Sequence, residues 1–249
     1  MTNIKDNFTS RSDLYARYRP SYPPEVFEFL SSKIPGRQAA WDCGTGNGQL
    51  ATELAHHFHT VYATDISKEQ IEQAVPAPNL EYSVQPAEQT SFPDNSFDLV
   101  TVAQAIHWFD FKRFYREVER CTRNQGIFAA LGYGLVSAGG EADEIIGHFY
   151  RTTLDTYWDK ERKYIDEHYK TIPFPFEEIT APTLVNEVSW SLDDLAGFFR
   201  TWSAVKHYIK ANNQDPVEPL VLRLEKVWGD AVQRSIQFPI LLRVARITK

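Results

Sequence analysis

The stretch from Ala39 to Gln49 reads AAWDCGTGNGQ, an apolar run that ends in an acid and three alternating glycines and then enters a helical pattern. No other segment limits the fold so strongly. An apolar run that stops in glycines at the start of a helix is a strand–turn–helix unit. Its glycines permit positive φ and let bare backbone approach a ligand, while the start of the helix favours a carboxylate or a phosphate. A strand that feeds a helix and is followed by another strand builds a parallel sheet with helices on its faces.

The residues around the loop carry that pattern onward. Apolar runs at 38–42, 60–65, 80–85 and 97–104 predict four strands, and 127–132 predicts a fifth. Helices are expected at 49–57, 68–74 and 111–123; in the last, Phe111, Phe114, Tyr115 and Val118 recur at helical spacing and should lie on the sheet. Beyond Gly140 the pattern loosens into a helix over 142–157, the charged run WDKERKYIDEHYK and the turn-rich TIPFPFEEI, which together suggest a cap. A strand at 183–190, a helix at 192–209 opened by Ser191, and a last strand at 240–247 with Pro239 at its start complete the reading.

Composition narrows the class of partner. With 43% apolar and 14% aromatic residues, 249 residues can bury a full core. The balance of 26 basic against 33 acidic side chains leaves a net charge of −7, so no global positive field draws the chain to nucleic acid or anionic lipid. No apolar run approaches the roughly 20 residues of a membrane span, and the first 20 residues lack the apolar centre of a secretory signal, so a cytoplasmic location is expected. Cys43 and Cys121 have no ligand-like spacing and suggest neither a disulfide nor a zinc site.

Three ligand classes compete for the glycine loop. A triphosphate P-loop needs Gly-Lys followed by Ser or Thr, and Gly48 is followed by Gln49. The dinucleotide fingerprint places its third glycine where Gln49 stands. An acid followed by Gly-x-Gly-x-Gly remains, filled by Asp42, Gly44, Gly46 and Gly48. In this the chain resembles the class I methyltransferases that use S-adenosylmethionine, and its loop suits a ligand end that bears a carboxylate and an ammonium.

The resemblance implies a doubly wound, mainly parallel seven-stranded α/β sheet, a Rossmann-like methyltransferase fold with an antiparallel last strand and a helical cap. It implies that Asp42, Cys43, Gly44, Gly46 and Gly48 surround the methionine end. Asp65, at the end of the second strand, is then expected to grip the ribose hydroxyls, and Ile66 to wall the adenine. In the segment 85–98 many relatives carry an Asp where this chain has Pro86, so adenine recognition is expected to lean on the backbone of Ala87 and on a neighbouring side chain or water, with Glu88 read equally as a solvated or structural residue. The fourth strand ends in Gln104, expected at the cofactor, and runs into AIHWFD, which is similar to a small-molecule branch that includes trans-aconitate-type carboxyl methyltransferases.

Within that run His107 is either the catalytic base or a packed histidine, and Trp108 is expected as a wall of the acceptor site. The aromatic N-terminal segment resembles the branch's lid, with Tyr15 and Arg19 over the cofactor and Arg19 and Tyr22 toward the acceptor; the alternative is a solvated basic helix. The chain is thus read as one methyltransferase domain over 1–249, divided into a lid (1–34), a cofactor-binding core (35–134), a cap with an additional strand (135–235) and the final strand (236–249). S-adenosylmethionine is the expected cofactor, no metal is required, and the expected partner is a small acceptor, with a carboxylate needing no base. A monomer or homodimer is expected. An RNA-modifying methyltransferase and a non-catalytic cofactor sensor stay open as alternatives.

Overall fold

A computed structural model describes residues 18–249. Its first half alternates helix and strand: Pro24–Lys33 (α1), Ala39–Cys43 (β1), Gln49–Leu54 (α2), Thr60–Asp65 (β2), Lys68–Glu72 (α3), Leu80–Val84 (β3), Phe97–Ala103 (β4), Phe111–Cys121 (α4) and Thr122–Tyr133 (β5). The amphipathic spacing in α4 acts as anticipated, burying Phe114, Tyr115 and Val118, while Asp110 caps the helix by accepting from the Arg113 amide. These strands pair in parallel in the order β3-β2-β1-β4-β5. Because the order reverses at β1, the loops that follow β1 and β4 diverge and leave a crevice at their carboxyl ends.

The second half holds Glu141–His148 (α5), Lys163–Asp166 (α6), Glu177–Ile179 (β6), Val185–Trp190 (β7), Leu192–Arg200 (α7), Ser203–Asn212 (α8), Val217–Trp228 (α9) and Arg234–Arg246 (β8). The last strand is antiparallel to β5, as expected. β6 adds an eighth strand to the seven anticipated, paired with the end of β8.

Pro239 does not open β8 but sits inside it, opposite Val185. The strand changes partner there, passing from β7 to β5, so the missing proline amide interrupts neither ladder. The Pro239 carbonyl accepts from Gly134, and the Ile240 amide donates to Leu184.

Two helices expected as continuous are broken. The segment 192–209 divides at Thr201 and Trp202. The Thr201 hydroxyl returns to the Phe198 carbonyl at 2.6 Å, and Trp202 turns extended to bury itself against Phe198, Phe199, Tyr150 and Trp158. Aromatic burial outweighs the few tenths of a kcal/mol per residue of helix propensity. Likewise α5 ends at His148 and runs on as a π-helical turn over Phe149–Thr153, which lets Phe149, Tyr150 and Leu154 all face the same apolar cluster. Among the described residues no helix is long and apolar enough to cross a membrane.

Candidate active site

The glycine loop lies at the crevice between β1 and β4. Gly44, Gly46 and Gly48 have φ of 68°, 58° and 86°. The loop is bound chiefly to itself and to β2: the Thr45 amide donates to Thr64 at 2.9 Å, the Gly46 amide to the Asp65 carboxylate at 2.8 Å, and the Gly48 amide to Thr45 at 3.0 Å. Asp65 also accepts from the Ser67 amide at 2.9 Å, so one carboxylate ties the loop to the start of α3, which Ser67 caps. Those three amides are consumed inside the protein. What the loop offers a ligand is close approach and a rigid shape.

Asp42 is buried beneath the loop, accepting from the Thr45 hydroxyl at 2.6 Å and the Thr101 hydroxyl at 2.8 Å. Burial pushes its carboxyl up to about 6, against the two hydroxyls that favour the anion, with Asp65 adding repulsion. The Cys43 side chain is packed in the core beside Trp41, and burial holds its thiol well above the ordinary range. It contributes to the loop as backbone only.

Above the loop opens a cleft of about 320 Å3, floored by Gly44, Thr45 and Gly46 and roofed by 19–22 of the N-terminal segment. A smaller cavity of about 50 Å3 lies beyond it, lined by His107, Trp108 and residues of the cap. Arg19 and Gln104 line both. Gln104 holds a left-handed conformation at φ 54°, its amide bound to Leu131 and its side chain donating to the Tyr133 carbonyl at 3.4 Å. The Arg19 guanidinium donates to the Tyr133 hydroxyl at 2.6 Å and lies 5.4 Å from the Phe198 ring centroid. Its strap is anchored by Tyr18, whose ring lies where a Cβ on Gly197 would stand, and by the Asn186 amide donating to the Ser21 carbonyl at 2.6 Å.

His107, 6% exposed, follows β4 in a short 3-10 turn. Burial, reinforced by the Arg162 charge, lowers its imidazole to about 3, so it is neutral at physiological pH. Among the described residues its Nδ1 has no hydrogen-bond partner.

The structure brings Gly44, Gly46, Gln104, Arg19, His107 and Trp108 together around the two cavities. Tyr22 lines the larger cleft over the loop rather than the cavity of His107, because Pro24 starts α1 directly after it and holds that stretch over the crevice. Asp65, Ile66 and Ala87 lie outside both linings. Asp65 ends β2 and Ile66, 46% exposed, follows it, while the Ala87 side chain is buried, so any ligand contact there falls to its backbone. Glu88 accepts from the Asp110 amide at 3.0 Å and is structural in this arrangement. Tyr15 lies outside the described residues.

Trp158, Asp159, Arg162, Trp202 and Lys206, which sequence reasoning missed, line the smaller cavity. The first three fall in the run WDKER, whose dense mixture of aromatic and charged residues was the available signal and reads equally well as a solvated face.

A mainly parallel sheet with a tight acid-preceded glycine loop at its switch point, a second acid at the end of β2 and a roofed cleft defines a nucleoside-ligand enzyme of the α/β class. Comparison narrows this. The family described as "Methyltransferase domain" matches residues 41–130. A Dictyostelium discoideum protein named as a methyltransferase is 35% identical over 253 residues, spanning 98% of this chain and 96% of its own. A solved Anaeromyxobacter dehalogenans structure described as a type II methyltransferase is 38% identical with a TM-score of 0.86, over 93% of this chain and 99% of that one. A Haemonchus contortus N-methyltransferase solved with phosphomonomethylethanolamine and S-adenosylhomocysteine shares the fold alone, at 16% identity and a TM-score of 0.52 over all of this chain and 61% of that one. The chain belongs to the class I S-adenosylmethionine-dependent methyltransferases, and S-adenosylmethionine is its cofactor.

Proposed function

We propose that the enzyme methylates a carboxylate of a small molecule seated in the cavity beneath the cap, with the cofactor in the cleft over the glycine loop. The observation that carries this reading is the shared boundary: Arg19 and Gln104 line both cavities, so a group presented there meets the cofactor from the acceptor side. When bound, the cofactor supplies an electrophilic methyl group on a sulfonium. The protein's task is then alignment and exclusion of water, which can account for about 7–11 kcal/mol of barrier lowering.

The residues present fit that cofactor. At the cleft floor a Cβ on Gly44 would stand 2.7 Å from that of Ala105, so the backbone there stays bare, and the buried Asp42 carboxylate beneath it sets a negative potential where an ammonium would lie. Asp65 would receive the ribose hydroxyls on lone pairs beyond those used by Gly46 and Ser67, with Ile66 and the Ala87 backbone along the adenine. Replacing Asp65 by alanine is expected to weaken S-adenosylhomocysteine binding about 10–100-fold by calorimetry, the loss of roughly 1.5–3 kcal/mol in charged hydrogen bonds.

The guanidinium of Arg19 can pair with the acceptor carboxylate in a fork, and Tyr133, to which it donates, fixes its direction. Such an acceptor arrives deprotonated. This suits a site whose histidine is held neutral at about 3, far too weak a base for a hydroxyl or amine. The strap at 18–22 and the cap close the site over the reacting groups.

Calorimetry with S-adenosylhomocysteine followed by a labelled-methyl screen of carboxylic acids tests the proposal; cofactor binding without turnover on any acceptor would mark a sensor, and low-salt retention of labelled RNA a nucleic-acid enzyme. The variant His107→Gln is expected to keep cofactor affinity and to lower turnover by about tenfold or less, with no imidazole limb in the pH profile. A fall of about 10²–10⁴-fold with loss of an acidic limb would instead establish a general base and an O–H or N–H acceptor.

A further inference from the structure

The cavity under the cap contains a guanidinium whose working end is used by no group among the described residues. Arg162 is 18% exposed at its side chain, and its Nε donates to the Tyr150 hydroxyl at 2.7 Å. That hydroxyl in turn donates to the Asp166 carboxylate, which lies 3.7 Å from the same Nε. Two rings lie against the guanidinium, with its central carbon 4.7 Å from the Trp158 ring centroid and 5.2 Å from that of Tyr150. The hydrogen bond at Nε leaves Nη1 and Nη2 as the fork, and among the described residues neither Nη makes a hydrogen bond or ion pair. A mostly buried cation aimed this firmly, with its fork spare, is built to receive something.

A second group points to the same place. His107 lines the cavity with Arg162, is nine-tenths buried and has no partner for Nδ1 among the described residues. A neutral imidazole carries one N–H, which can donate to an anion without adding a charge to a crowded basic site. Trp108, Trp158, Trp202 and Ile165 supply flat apolar walls, and Asp159, Lys206, Thr201 and Ser203 add polar groups to the lining.

We infer that Arg162 is the residue that selects the acceptor, holding a planar oxyanion of it in its fork while His107 donates to the same group. Arg162 acts by position and not by chemistry: it lines only the smaller cavity, away from the glycine loop, so what it holds is oriented rather than methylated. Tyr150 and Asp166 are its support. A lysine would restore the charge without the paired donors or the stacking. The inference rests on the reading that this cavity is the acceptor site, and it adds the residue on which the choice of acceptor turns.

The test uses the full chain saturated with S-adenosylhomocysteine and follows tryptophan fluorescence, because three tryptophans line the cavity. Benzoate, its neutral counterpart benzamide, and inorganic phosphate are the probes. Benzoate is expected to quench saturably, with benzamide weaker by about tenfold or more. In Arg162→Gln the benzoate affinity should fall by about tenfold or more with S-adenosylhomocysteine affinity unchanged, and Arg162→Lys should recover only a minor part of the loss. The variant Tyr150→Phe, which removes the support and keeps the cation, should give a smaller loss of the same kind.

Equal binding of benzoate and benzamide, full affinity in Arg162→Gln, full recovery in Arg162→Lys, or no saturable signal up to the solubility of the probes would each overturn the inference. Preference for phosphate over benzoate, abolished in Arg162→Gln, would uphold Arg162 as the anion holder and overturn the planar shape assigned to the oxyanion.

Discussion

Replacing Gly48 by alanine is expected to cost the protein about 2–4 kcal/mol of stability and to weaken cofactor binding by about tenfold or more. Two separate penalties combine. The residue sits at φ 86°, where an L side chain is strained by about 1–2 kcal/mol, and its new Cβ would stand 2.0 Å from the Tyr82 hydroxyl and 2.9 Å from the ring carbon bearing it. Tyr82 cannot leave without breaking its bond to the Val75 carbonyl at 2.8 Å, so the strain passes to the start of α2 and to the floor of the cleft. In a chain of this size the melting temperature should drop by about 5–10 °C. The double variant Gly48→Ala, Tyr82→Leu removes the collision and keeps the strained φ, so it should regain part of the lost stability. If Gly48→Ala melts and binds like the parent, the loop is looser than its contacts imply.

Asp42 supplies an expectation of opposite sign, in which stability and function part company. Its folded-state value of about 6 lies above the ordinary 3.8. The native protein therefore holds a proton that the unfolded chain has already released between those values. Stability is fully present below the lower value and is lost as pH rises through the upper one, by roughly 3 kcal/mol at most for this group. The variant Asp42→Asn keeps the shape and one acceptor for the threonine hydroxyls but removes the buried charge. It is expected to be more stable than the parent by about 1–3 kcal/mol at about pH 8, with the advantage vanishing below about pH 4. Its affinity for S-adenosylmethionine should be about tenfold lower above pH 6 or so, because the negative potential beneath the loop is gone. Denaturant unfolding and calorimetry across pH distinguish the outcomes. An Asn variant that is less stable at alkaline pH would mean that the hydroxyl bonds to the anion outweigh its burial, and unchanged affinity would confine Asp42 to bracing the loop.

Sequence reasoning found the parallel half of the sheet because every element there announces itself locally. An apolar run, a turn and a helix of period 3.6 each encode burial direction within a dozen residues, and short right-handed crossovers leave little choice of topology. The glycine loop was legible for the same reason: positive φ at three alternating positions is written as three glycines and admits few substitutes. Even the acid at the end of β2 was readable, although its partners, the amides of Gly46 and Ser67, were not.

The acceptor side was closed to such reading because its residues meet only after non-local packing. His107 and Arg162 come from β4's exit and from the cap, and nothing in the spacing of either segment says that they face each other. Their meeting depends on Trp158 packing between Tyr150 and Trp202, on the break at Thr201 that frees Trp202, and on Tyr18 lying flat on Gly197. The neutral state of His107 follows from that burial and from the Arg162 charge, neither of which is a property of the residue's neighbours in the chain. Periodicity tells a side chain whether to turn inward. Which other side chain it finds there is set by the competition among many apolar contacts over the whole fold, so the family was legible in the order of the residues and the acceptor's pocket only in their arrangement.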